Sequence, residues 1–260
     1  MKDFTLKTYR ELLLTIQQRG YSFITFEDYC ARRPVGNYVI LRHDVDLRPH
    51  QSLATAQLEN ELNIRATYYF RIVPESNKPE YIRAIAELGH EIGYHYEDLN
   101  MTGGNVSQAF DNYQRNLLYF RQFYPVKTTS MHGSPREKTD NRDLWKSYDY
   151  HSFDIVGEPY FDFLNRNDVL YFTDTGGMWD GDKYNVRDRA VTPSDHPIQT
   201  DVPHIHSTTD LMAWFRESAN QHPIMINTHP QRWTDDVVLW WKEKIAQTLK
   251  NQVKAMIKKG

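Results

Sequence analysis

A chain of 260 residues exceeds one typical domain, yet a single α/β barrel can use that whole length, so one large domain is expected. With 40% hydrophobic and 25% charged residues it is an ordinary globular composition, not a disordered one. A net charge of -3 leaves no basic excess for a run of phosphates, and the lone Cys30 excludes an internal disulfide or a multi-cysteine zinc site. Any metal has to be held by histidine and carboxylate.

Met1 to Lys7 mixes charged and polar groups with no apolar core behind it, so no secretory signal is read and a cytoplasmic protein is expected. No stretch approaches the ~20 apolar residues that cross a bilayer. Leu6, Tyr9, Leu12, Leu13 and Ile16 recur at helical spacing, with Gly20 placed to end that helix. Strands are expected at 38–41, 66–73, 91–95, 127–132, 151–156, 169–173 and 224–228. Helices are expected at 51–62, 79–88, 107–123, 209–219 and 235–257. Strands alternating with helices of this length imply a mainly parallel sheet. Residues 157–206, rich in Asp, Gly, Pro and Asn, read as a long binding loop or lid.

Sites in parallel α/β folds form where strands end, and here the strand ends are polar. The first runs into Arg42-His43-Asp44-Val45-Asp46, the third into His95-Tyr96-Glu97-Asp98, the fourth into Ser130-Met131-His132-Gly133-Ser134-Pro135 and the last into Asn227-Thr228-His229-Pro230. Asp44 and Asp46, two apart, share one side of an extended segment, where like charges repel unless a cation joins them. Alone, such a pair reads equally well as helix caps. Together with histidines on other strand ends it reads as a site for a divalent metal of the zinc, cobalt, nickel or iron kind. Asp46 and His95 supply two ligands; His132 is the first choice for the third, with Glu97 and Asp98 in reserve. His229 is placed to act as a general acid. Trp179 and Trp233, with Asp174 and Arg232 nearby, are candidates for binding substrate, although tryptophans in such loops serve equally as packing.

These residues resemble the polysaccharide deacetylase superfamily, the carbohydrate esterase family 4 type with a NodB-homology domain. Asp44 and Asp46 match its first motif, an acid pair at the end of strand one, in a spaced form. Gly89-His90-Glu91-Ile92-Gly93-Tyr94-His95 is similar to the lead into its second motif, so that family's first metal histidine maps to His95. Its second metal histidine falls on Leu99, and His132, within the segment that takes the place of the third motif, stands in for it. The closing motif is matched by Asn227-Thr228-His229-Pro230. The resemblance implies a distorted (β/α)7 barrel over residues 36–232; the helical patterns on either side are expected to form an N-terminal helical extension (1–35) and a C-terminal helix (233–260). It also implies one divalent metal, zinc first with Co, Ni, Fe or Mn as alternatives. Asp44 would be the base, His229 the acid, and the substrate an N- or O-acetylated saccharide. Two other readings stand beside this: a hydrolase of another C–N bond, in a cyclic imide, ureide or small amide, and a carbohydrate-binding pseudoenzyme in which Leu99 marks a lost metal.

Overall fold

A computed structural model of the chain describes residues 2–133, 139–181 and 202–257, with side chains as far as residue 252. Ser134, Pro135 and residues 182–201, a part of the expected binding loop at 157–206, lie outside the described residues.

Seven strands form one sheet: β1 (Ser22–Ile24), β2 (Tyr38–Val45), β3 (Thr67–Phe70), β4 (Glu91–Tyr96), β5 (Thr129–Met131), β6 (Leu170–Thr173) and β7 (Ile224–Thr228). The order is β5-β4-β3-β2-β7-β6, with β1 paired to the start of β2, and every pair is parallel. The sheet curls into part of a barrel, the distorted (β/α) architecture expected from the sequence. Among the described residues its path ends at β5 and β6.

The helices between the strands are α1 (Leu6–Gln18), α2 (Phe26–Arg32), α3 (Pro49–Glu61), α4 (Pro79–Glu87), α5 (Asp98–Met101), α6 (Val106–Phe120), α7 (Pro159–Asp162) and α8 (Thr208–Glu217); α9 (Val237–Ile257) closes the chain. Their starts are chemically marked. Thr5, Thr25 and Asn105 accept from the backbone of α1, α2 and α6, while Pro49 and Pro79 open α3 and α4. Ser207 and Asp210 cap α8 reciprocally.

Helices cover one face of the sheet and the barrel interior fills the other, so β2 is buried at all eight positions. Alternation then sorts its side chains. Arg42 and Asp44 lie on the inner face and bond each other. His43 faces α3, where its Nε2 is 2.8 Å from Glu59. Gly93 in β4 is dictated by a neighbour, because a Cβ there would stand 2.3 Å from the Tyr69 ring. The tyrosines are core: Tyr9, Tyr68, Tyr69 and Tyr94 are fully buried, and their hydroxyls donate to Glu59, Glu59, Thr128 and Asp98.

Two expectations are corrected here. Residues 151–156 are not a strand, because Tyr150–Phe153 forms a 3-10 helix capped by Asp149, and only a single bridge between Gly157 and Thr128 remains. The first 35 residues are not purely helical, since β1 adds a strand to the sheet. No helix among the described residues is long and apolar enough to cross a membrane.

Candidate metal centre and catalytic cleft

The polar strand ends converge. One donor atom each from Asp46, His95 and His132 lies within 4.8 Å of the other two. Asp46 Oδ1 is 3.8 Å from His95 Nε2 and 3.6 Å from His132 Nε2, and it is buried with no hydrogen-bond partner. A buried carboxylate oxygen left in that state is costly unless something fills the gap. Two donors each ~2.1 Å from a shared ion lie at most ~4.2 Å apart, so both separations suit one.

The imidazoles turn toward the same point. His95 donates Nδ1–H to the Ser130 carbonyl at 2.9 Å, which leaves the Nε2 lone pair facing Asp46. Burial pushes its pKa down to about 4, against the pull of Asp44, so it is neutral at pH 7. His132 Nδ1 is 3.0 Å from Glu97 Oε2 and must be the donor, since a carboxylate only accepts; its Nε2 turns to Asp46. Glu97 is gripped by Arg71 through two bonds of 2.8 Å. Burial would raise the Glu97 pKa, but His132 and Arg71 outweigh it and hold the group ionised. Glu97, a reserve ligand in the sequence, is thereby engaged in aiming His132. The other reserve, Asp98, points away to Tyr94 and Asn116. Leu99 is packed in the core at 3% exposure.

Asp44 stands beside this cluster, its Oδ2 3.7 Å from His95 Nε2. Arg42 holds it by two bonds of 2.8 Å and Asn227 by one of 3.0 Å. Burial alone would raise its pKa; Arg42 and the imidazoles of His95 and His229 overcome that and lower it. Across the cleft His229 Nε2 is 3.9 Å from Asp46 Oδ2, and its Nδ1 is 2.6 Å from Asp174. Burial and Arg232 disfavour its protonated form, but Asp174 and Asp46 prevail and raise its pKa.

The four residues expected to bind substrate pack together behind His229. Asp174 has no exposure and accepts from the His229 backbone and ring, from Arg232 Nη1 at 2.6 Å and from Trp233 Nε1 at 2.9 Å. Trp233 is fully buried and offers no face to a sugar ring. Trp179 packs on Trp233 and donates to Thr208. The sequence reading missed Arg42, Asn227 and Arg71. For Arg42 a signal existed, since the alternation that pairs Asp44 with Asp46 also sets Arg42 beside Asp44.

No family profile and no curated protein matches the chain. Among solved structures it is similar to a CE4 family pseudoenzyme from Bacillus anthracis, at 13% identity over 82% of this chain and 60% of that one, TM-score 0.41. It is also similar to the catalytic domain of a peptidoglycan N-acetylglucosamine deacetylase from Eubacterium rectale, at 11% identity over 84% and 86%, TM-score 0.45. A third likeness is to the Xyl-CE4 domain of a multidomain xylanase from the hindgut metagenome of Trinervitermes trinervoides, at 12% identity over 82% and 83%, TM-score 0.38. This chain thus spans 60% of the length of the pseudoenzyme it resembles. Likenesses this distant leave activity to be argued from the site.

Proposed function

We propose that the chain is a metal-dependent hydrolase that removes an acetyl group from an N- or O-acetylated saccharide. The observation that carries this reading is the orphaned Asp46 oxygen facing two oriented imidazole nitrogens, with an ionised carboxylate and a histidine–aspartate pair on the same cleft. Asp46, His95 and His132 would hold one divalent cation, zinc being the first choice for such a donor set. When bound, the cation supplies Lewis acidity toward an acyl oxygen.

The chain's own residues account for the proton movements. Asp44, fixed by Arg42 and Asn227, accepts the proton of the attacking water. His229, oriented by Asp174, donates a proton from Nε2 to the departing nitrogen or oxygen. Water and the acetylated substrate become acetate and a free amine or hydroxyl. The test is acetate release by metal-loaded protein from a panel of acetylated amino sugars and O-acetylated saccharides, run beside cyclic imides, ureides and small amides. Release from the sugars supports the reading. Turnover confined to the other amides transfers the site to their class, and bound metal without any turnover makes the chain a binding protein.

A further inference from the structure

The last helix is built inside out. On α9, Glu243, Gln247 and Asn251 face inward and are 6–7% exposed, whereas Val238, Trp241, Ile245 and Leu249 face outward and are each more than half exposed. The inward residues are tied to the body of the protein. Arg48 donates to Glu243 at 3.0 Å, Gln247 donates to Asn251 at 2.8 Å, and Asn251 donates to the Gly176 carbonyl at 2.8 Å. The outward residues recur at intervals of three and four, the period of a single helix face. A helix docked on a water-soluble body ordinarily buries its apolar stripe; this one spends its polar face on docking and presents the stripe to solvent.

Charge and shape identify the occupant. The helix carries Lys242, Lys244, Lys250 and Lys254 against one acid, Glu243, and that acid is turned inward to Arg48. A second copy laid on the stripe would bring lysines against lysines with no outward acid on α9 to offset them. A protein groove would take the same stripe, but lysines with no outward acid on α9 to balance them match an anionic plane. A plane of anionic phospholipid needs only the stripe. Ile245 and Leu249 would reach the acyl boundary, Trp241 would suit the interfacial layer, and the exposed Lys242 and Lys250 would meet phosphate. We propose that α9 seats the protein on an anionic phospholipid surface. Arg48 follows Asp46 by two residues and Gly176 follows Asp174 by two, so it is the inward face of α9, opposite the stripe, that packs on the loops building the cleft. The docking stands on the helix alone and does not depend on the hydrolase reading.

The experiment is co-sedimentation of the full chain with vesicles of phosphatidylglycerol mixed into phosphatidylcholine, and with phosphatidylcholine alone. Pelleting with the anionic vesicles, reversed by salt, is the expected result. Ile245→Asp combined with Leu249→Asp should weaken it by at least about tenfold, since each buried side chain of this size is worth roughly that factor or more. Lys242→Glu combined with Lys250→Glu, which leaves the stripe intact, should weaken it as well. Unchanged circular dichroism keeps both variants interpretable, and the charge pair decides if the aspartate pair misfolds. Wild-type protein that stays in the supernatant at low salt overturns the proposal, as does equal binding to both vesicle types. A lipid-free dimer dissolved by the aspartate pair also overturns it and assigns the stripe to a second copy.

Discussion

At the scale of the residue, the cleft separates groups that would touch a metal from groups that aim them, and the two kinds should fail differently. Asp46→Ala removes the only carboxylate of the proposed triad, and His132→Ala one of its two imidazoles; each should abolish stoichiometric zinc in metal analysis of the purified protein. Glu97→Gln removes only the carboxylate that fixes the His132 tautomer, so affinity should fall ~10- to 100-fold while binding survives at saturating metal. A Glu97 variant that lost metal as completely as His132→Ala would put the carboxylate back among the ligands. Asp174→Asn should leave metal bound yet lower turnover by roughly 10²-fold or more, because an amide cannot stabilise charged His229. His95 and His132 were legible in the sequence because a histidine at the end of a buried strand is conspicuous. That Asp174 and Trp233 turn inward and bond each other was not legible, because sequence shows which residues neighbour a site but not which way their side chains turn.

At the scale of the element, β4 joins opposite chemistries, with His95 near its cleft end and Glu91 at its start. Glu91 is fully buried and accepts from the Thr67 hydroxyl at 2.7 Å, the Glu27 amide at 2.9 Å and the Thr128 hydroxyl. Burial dominates those bonds and pushes its pKa from 4.5 up to about 7. Between those two values the folded chain holds a proton that the unfolded chain has released, so this group's contribution to stability is full below pH 4.5 and is lost as pH rises through 7. The shift corresponds to about 3 kcal/mol. In metal-free protein, Glu91→Gln should remove that part of the decline between pH 5 and pH 8, measured by urea unfolding at each pH. Parallel slopes for wild type and variant would show that Glu91 titrates normally. The long elements were readable because hydrophobic period and caps agree, as in α1 and β7. Strand β1 escaped because it has three residues, and 151–156 misled because Phe153 packs on Phe110 and Tyr113 of α6 while Val156 is exposed, so its apolar positions do not mark a paired strand.

At the scale of the whole molecule, the proposed metal would act as a clasp across the sheet. Asp46 follows β2, His95 belongs to β4 and His132 follows β5, with β3 lying between the first two, so one ion would tie positions that no single hydrogen-bonded strand pair connects. These donors come together only in the folded chain, and an ion that binds the native state stabilises it by mass action, about 2.7 kcal/mol at a free concentration a hundred times its dissociation constant. For a chain of this size that is a rise in melting temperature of roughly 5–10 °C. Calorimetry in zinc and in chelator should show that rise for wild type and for Asp174→Asn, whose change lies behind His229 and spares the three donors. Asp46→Ala should melt at one temperature in both buffers. A wild-type transition indifferent to metal would mean that the Asp46 oxygen, though buried and facing two imidazoles, is not where an ion binds, and the hydrolase reading would lose the observation that carries it.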